Sequence, residues 1–125
     1  MEVGMKFITI DGDDIGQKIA ACYFRNDSQA LLELNRAVET IIKDVAQLLV
    51  NQGFEVIFSA ADGVAAYSGS FANSNEMLYR EISKIAGDNL TLSVGVGDTL
   101  RESYIALLAS KSNGKAQLTA YGDLA

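Results

Sequence analysis

Two short acidic segments hold the side chains best suited to chemistry, Asp11-Gly12-Asp13-Asp14-Ile15-Gly16 and Ala60-Ala61-Asp62-Gly63. Carboxylates are hard oxygen ligands. Two of them, with a backbone carbonyl, substrate phosphates and water, make the octahedral shell that Mg²⁺ takes. A pair of such metals activates a hydroxyl and neutralises a triphosphate. A third segment, Ala109-Ser110-Lys111-Ser112-Asn113-Gly114-Lys115, puts two lysines four positions apart, within reach of one anionic group. Each segment also has a plainer account. Asp and Gly populate ordinary turns, and lysines near a helix C-terminus complement its dipole. Crowding weighs against turns alone, because three acids directly after an apolar strand repel one another unless they share a cation. The turn Gly12 to Gly16 also feeds backbone amides toward a helix, where they can cradle phosphates. It does not match the longer glycine-rich P-loop pattern.

The elements that must position these residues follow from periodicity. Met5 to Ile10 is β-rich and apolar, as a covered strand should be. It runs into the acidic turn, and a short helix is expected from Ile15 to Phe24. Asp27 to Gln52 is the clearest helix, with Leu31, Leu34, Val38, Ile41, Ile42, Val45, Leu48 and Leu49 at helical spacing and Gly53 as its stop. Phe54 to Ser59 and Val64 to Ser68 read as strands joined through Ala60-Ala61-Asp62-Gly63, since Asp-Gly is a hairpin dipeptide. Asn75 to Ala86 reads as a helix, Leu90 to Val96 as a strand, and Thr99 caps a helix to about Ser110 with Glu102 completing a capping box. Gln117 to Tyr121 would add a short strand. Cys22 is expected as a small buried hydrophobe, Tyr67 and Phe71 as packing, and Tyr104 as core.

The order β-α-β-β-α-β, with an extra helix and a short strand, is an α+β ferredoxin-like arrangement, a mainly antiparallel sheet with helices on one face. In that topology the first strand lies beside the central hairpin. Asp11 and Asp62 then meet at one end of the sheet, with Asp13 and Asp14 expected beside them.

Composition narrows the chemistry. The chain has 125 residues with no histidine, no proline and one cysteine, so Ser-His-Asp, Cys-His and multi-cysteine zinc sites are excluded. Net charge is −6 with no basic stripe, which disfavours duplex nucleic acid as a partner. No apolar run approaches the roughly 18 residues of a membrane span, and Met1 to Asp14 lacks the pattern of a signal peptide. The expectation is a single cytoplasmic domain over residues 1–125.

Taken together, the motifs resemble a known family. Phe7 to Gly16 is similar to the D-x-D-[ND]-[LI]-G signature of the Palm domain of type III CRISPR polymerases. It is similar, more distantly, to the first metal strand of GGDEF diguanylate cyclases and class III adenylyl cyclases. Phe58 to Val64 stands where those families carry G-G-D-D or G-G-D-E-F. Leu92 to Gly97, followed by Ala106 to Lys115, resembles their V-S-I-G-V and A-L-x-x-A-K-x-x-G-K elements. The length is most similar to the minimal CRISPR polymerases. That resemblance implies a nucleotidyl cyclase dependent on Mg²⁺ or Mn²⁺ that makes a cyclic di- or oligonucleotide in anti-phage signalling, the product being read by a separate effector. It assigns Asp11, Asp62 and the Gly12 carbonyl to metal, Asp11 and Asp62 to catalysis, and Gly12, Asp13, Asp14, Ile15, Gly16, Lys111 and Lys115 to the nucleotide. The hairpin lacks the paired glycines and the second acid of the pattern. The guanine-reading Asn and Asp of GGDEF domains fall near Ile19 and Ser28, so ATP is expected over GTP.

Joining two nucleotides needs two bound triphosphates, and one small chain offers one site, so a homodimer is expected. Two alternatives remain open: a nucleotide-ring hydrolase resembling archaeal GTP cyclohydrolase, and a degenerate palm that binds a nucleotide without turning it over.

Overall fold

The first strand, β1 (Lys6–Gly12), alternates its side chains strictly between two covered faces, with Ile8 and Ile10 buried on one and Thr9 and Asp11 on the other. It runs two residues further than its apolar stretch suggests, because Asp11 still pairs with neighbours on both sides and Gly12 with one. The computed structural model describes residues 4–88 and 90–124; residues 1–3, 89 and 125 of the expected domain lie outside the described residues. After β1 come α1 (Ile15–Phe24), α2 (Ser28–Asn51), β2 (Glu55–Ala60), β3 (Gly63–Ser68), α3 (Asn75–Ala86), β4 (Leu92–Gly97), α4 (Leu100–Ser112) and β5 (Leu118–Ala120). A single 3₁₀ turn, Tyr121–Asp123, ends the described chain. The strand order is β2-β3-β1-β4-β5, antiparallel except for the β4–β5 pair.

Local chemistry sets the helix boundaries. The Asp27 carboxylate accepts from the Ala30 amide at 2.9 Å and starts α2, the capping arrangement that satisfies an orphan first-turn donor. Ser74 does the same for α3 through the Met77 amide. Thr99 caps α4 through the Glu102 amide at 3.1 Å, while the Glu102 side chain accepts from the Asp98 amide one residue further back than a capping box requires.

The α+β class and the mostly antiparallel sheet stand, but the helices do not share one face. On one side Ile8, Ile10, Val64, Ala66, Val94 and Val96 pack with Val38, Ile42, Val45 and Leu49 of α2 and with Leu78 and Ile82 of α3. The other side of β4 carries Ser93, Gly95 and Gly97, and α4 lies across it. The Thr9 and Ser103 hydroxyls meet at 2.7 Å, and the Ser110 hydroxyl donates to the Val94 carbonyl at 2.8 Å. Small residues and hydroxyls let this helix approach so closely. A Cβ on Gly95 would fall 2.1 Å from the Leu107 nitrogen and 2.2 Å from the Ser103 carbonyl oxygen.

Backbone atoms cannot move aside as the end of a side chain can. Gly95→Ala is therefore expected to destabilise the protein by about 3 kcal/mol or more, read as a lowered urea midpoint. A loss below about 1 kcal/mol would mean that α4 is not seated this tightly.

Candidate functional site

The site forms where β1 ends beside the β2–β3 hairpin. Asp11 is in register with Gly63 of β3 and Ser93 of β4. The Gly12 amide donates to the Asp62 carbonyl at 2.9 Å and ties the hairpin tip to β1. Two glycines make the junction possible. A Cβ on Gly12 would lie 2.9 Å from Ile15 Cγ1 and 3.3 Å from Asp62 Cβ, and one on Gly63 would lie 3.2 Å from the Ile10 carbonyl oxygen. The half-buried carboxylates of Asp11 and Asp62 come together as expected. Burial raises the Asp11 pKa, and the Asp62 charge adds to that rise while Lys111 opposes it.

Asp13 and Asp14 do not join the pair. Asp13 is 2% exposed and turns into the protein. Its carboxylate accepts from Ser93 Oγ at 2.6 Å, Thr91 Oγ1 at 2.7 Å, Lys111 Nζ at 2.9 Å and the Ala116 amide at 3.0 Å. Burial pushes its pKa up, but these donors together outweigh burial and hold it below the usual carboxylate range. The Asp13 amide is also taken, donating to the Thr91 carbonyl at 3.0 Å. Asp14 is exposed and ion-pairs with Lys115. Ile15 and Gly16 open α1, where first-turn amides have no carbonyl partner within the helix. Among the described residues no three acidic, histidine or cysteine side chains gather as a metal cluster.

Lys111, in the last turn of α4, sends its ammonium into this end of the sheet. Nζ lies 2.8 Å from the Gly12 carbonyl oxygen, 2.9 Å from Asp13 Oδ1 and 3.1 Å from Asp11 Oδ2. Burial lowers its pKa, and the bonds to Asp13 and Asp11 more than reverse that. After α4 the chain passes through Gly114 (φ 113°), Lys115 (φ 64°) and Ala116 (φ 49°), and this left-handed turn aims the Ala116 amide at Asp13. The two lysines therefore stand on the acids of the first segment, Lys111 on Asp11 and Asp13, Lys115 on Asp14.

The donor set suits a hard divalent cation. Asp11, Asp62 and the Gly12 carbonyl supply oxygens from two adjoining strands, leaving other positions for water and phosphate. A cleft of about 740 Å³ opens from this point along α4, lined among others by Thr9, Asp11, Phe58, Asp62, Tyr104 and Lys111. A smaller cavity of about 290 Å³ lies on the other side of Asp62, between α1 and α2, with Ile19, Asn35 and Glu39 in its wall.

Tyr104 corrects its expected place in the core. It is 54% exposed, since α4 buries Ser103, Ala106, Leu107 and Ser110 and the next position faces the cleft. Cys22 is buried, Phe71 packs on Phe54 and Tyr67 on Phe7, as expected. Thr91 and Ser93 were missed as site residues. Their only signal is a serine in an otherwise apolar buried strand.

In the two-residue turn between β2 and β3, Ala61 takes φ 50°, where a side chain costs about 1 kcal/mol and glycine nothing. Ala61→Gly should raise the urea midpoint by roughly that much; a lower midpoint would mean that the methyl packs usefully. Asp13 predicts a pH dependence. A carboxyl with a lowered folded pKa lends stability that is complete above its unfolded value, near 4, and lost as pH falls through the folded value. Asp13→Asn should weaken the protein by about 3 kcal/mol at pH 7 and flatten the loss of stability as pH falls below about 5. Parallel pH profiles for wild type and variant would contradict this.

No curated protein matches the chain. Solved structures do. The GGDEF domain of DgcB from Caulobacter crescentus, in complex with c-di-GMP, is similar with a TM-score of 0.66 at 12% identity, over 95% of this chain and 78% of that one. The Csm1–Csm4 cassette in complex with cA4 gives 0.71 at 16% identity, over 94% of this chain and 21% of that one. The same cassette in complex with pppApA gives 0.68 at 17% identity with the same coverage. At these identities the likeness shows the fold. The family described as mCpol, the minimal CRISPR polymerase domain, matches residues 7–121, a span that takes in Asp11, Asp62, Lys111 and Lys115. The chain belongs to the mCpol family.

Proposed function

We propose that this protein is a metal-dependent nucleotidyl cyclase that joins nucleoside triphosphates, ATP in preference to GTP, into a cyclic di- or oligonucleotide. The convergence of the Asp11 and Asp62 carboxylates beside the Gly12 carbonyl carries this reading. Membership of a polymerase family supports it, as do structural neighbours that hold c-di-GMP, cA4 and pppApA. In the reaction the 2′- or 3′-hydroxyl oxygen of one nucleotide bonds to the α-phosphorus of another. The bond from that phosphorus to the bridging oxygen breaks, pyrophosphate leaves, and the hydroxyl proton is lost to water.

Asp11, Asp62 and the Gly12 carbonyl would hold Mg²⁺ or Mn²⁺, which lowers the hydroxyl pKa and neutralises phosphate charge when bound. Lys111 and Lys115 bind the triphosphate and offset charge on the leaving pyrophosphate. Asp13 serves by placing Lys111, and Asp14 by holding Lys115. The amides of Ile15 and Gly16 at the start of α1 face phosphate oxygens. Ile19 in the smaller cavity and Ser28 at the start of α2 do not copy the guanine-reading Asn and Asp of GGDEF domains, which supports ATP. Asn35 and Glu39 set an amide and a carboxylate in that cavity wall to face the base.

Each chain has one acid pair, so the bond between two nucleotides forms across a homodimer. Phe58, Leu100, Tyr104 and Leu108, each about half exposed around the larger cleft, supply the apolar surface for a second copy. Among the described residues no helix is long and apolar enough to cross a membrane. The reading places the enzyme in the cytoplasm, where a separate effector reads the product in anti-phage defence.

A second reading has one observation in its favour. The hairpin carries Ala60 and Ala61 where the family pattern has glycines, and methyl groups there narrow the approach of a nucleotide. A palm that binds nucleotide without turnover would carry that change.

Incubation with Mg²⁺ or Mn²⁺ and each nucleoside triphosphate, followed by mass spectrometry, should show pyrophosphate and a cyclic product, most with ATP. Asp62→Asn should lower turnover by about 100-fold or more, because several kcal/mol of charge stabilisation goes with the metal site. The same variant should leave the metal-free protein as stable or more so, since one repelling charge is gone. No product with any triphosphate would overturn the cyclase, and tight nucleotide binding alone would favour the second reading.

A further inference from the structure

Lys111 directs its ammonium at oxygens that a metal would need. An ammonium has three N–H donors, and here they face the Gly12 carbonyl oxygen at 2.8 Å, Asp13 Oδ1 at 2.9 Å and Asp11 Oδ2 at 3.1 Å. Gly12 and Asp11 supply two of the three groups assigned above to the divalent cation. A metal coordinated at about 2.1 Å and an ammonium at hydrogen-bond distance would crowd the same oxygens, and two cations that close repel.

Asp13 does not depend on the lysine alone. With Lys111 gone it still accepts from Thr91, Ser93 and the Ala116 amide. Asp11 differs: among the described residues Lys111 is its one ion-pair partner, and its carboxylate borders that of Asp62. The lysine stem is flexible, and Lys111 lines the 740 Å³ cleft, so the ammonium has space to swing into. Lys115 touches Asp14 and neither Asp11 nor Gly12.

We infer that Lys111 and the divalent cation exchange in one seat: in the free protein the ammonium fills the position at Asp11 and Gly12, and it leaves for the phosphate oxygens when a nucleotide and metal arrive. The inference rests on the metal-dependent reading above and adds an order to it. The idle site holds metal weakly, because entry means displacing an internal cation. A triphosphate gives that cation somewhere else to go, so metal and triphosphate bind cooperatively. The lysine is a positioning residue for the metal as well as a ligand for the anion.

The probe is Mn²⁺ alone, without nucleotide, followed by the electron paramagnetic resonance signal of the free ion. Lys111→Met should bind Mn²⁺ ~10-fold or more tightly than wild type, since a competing cation has left the seat. Lys115→Met removes the same charge from a neighbouring position and should change the affinity by no more than about threefold. Mn²⁺ should also raise the melting temperature of Lys111→Met more than that of wild type, which a purely structural lysine would not produce. Should Lys111→Met fail to fold, wild type labelled with ¹⁵N at lysine side chains serves instead. Saturating Mg²⁺ together with a non-hydrolysable ATP analogue should then shift the hydrogen-bonded Lys111 ammonium signal, and a signal that persists unchanged overturns the exchange.

Equal Mn²⁺ affinity in wild type and Lys111→Met would overturn the exchange and leave the metal site standing. Equal tightening in both lysine variants would overturn it too, as an effect of net charge alone. No Mn²⁺ binding to any of the three at millimolar concentration would overturn the exchange, and repeating the titration with a non-hydrolysable ATP analogue would then decide the metal site: no binding there removes it as well.

Discussion

A single ammonium group holds the end of β1 together. Asp11 and Asp62 pair at one corner of a small sheet, Asp13 turns inward behind them, and Lys111 touches Asp11, Asp13 and the Gly12 carbonyl between. Unit charges about 4 Å apart repel by roughly 4 kcal/mol at an effective dielectric near 20, less where water screens them. Asp11, at 38% side-chain exposure, gains part of that screening, and Asp13, at 2%, gains almost none. Asp13 is stable as a charge only because hydroxyls, an amide and the lysine surround it, the condition under which a buried carboxylate is tolerated.

Everything on the α4 side serves to bring that ammonium into range. Gly95 and Gly97 remove side chains from the strand below, and the hydroxyls of Ser103 and Ser110 bond into the sheet and fix the helix along its length. The left-handed turn beyond α4 then carries the Ala116 amide to the far oxygen of Asp13. Two consecutive residues with side chains in that conformation cost about 1 kcal/mol each. A hydrogen bond to a buried charge contributes a comparable 1.5–3 kcal/mol, so the strained turn persists without net loss. The same tight seating separates the helices onto two faces and leaves Tyr104 beside the cleft.

Much of this was legible in the sequence because it is local. The apolar run of β1, the capping residues Asp27, Ser74 and Thr99, and the Asp-Gly hairpin each announce an element, and the order of elements places Asp11 beside Asp62. The spacing of Lys111 and Lys115 marked them for an anion. What escaped is held by contacts between distant positions. Asp13 looks like one more acid beside Asp11 and Asp62 until Ser93 and Thr91, some eighty residues later, are seen to enclose it. The period of α4 gave Tyr104 no distinct place, because one helical position decides between the sheet and the cleft. That Lys111 would rest on Asp11 and Gly12, and not merely near a triphosphate, follows from the depth at which Gly95 lets α4 settle. Spacing along the chain carries no record of that depth.

Asp11, Asp62 and the Gly12 carbonyl are proposed above as one cation seat. The most direct measurement is a crystal of the wild-type protein with Mn²⁺ and a non-hydrolysable ATP analogue, examined by anomalous scattering at the manganese edge. A manganese peak should stand within coordination distance of Asp11 and the Gly12 carbonyl, with the Lys111 ammonium withdrawn from both and turned to the phosphates. A nucleotide bound with no manganese at that corner, and Lys111 still resting on Gly12 and Asp11, would contradict it.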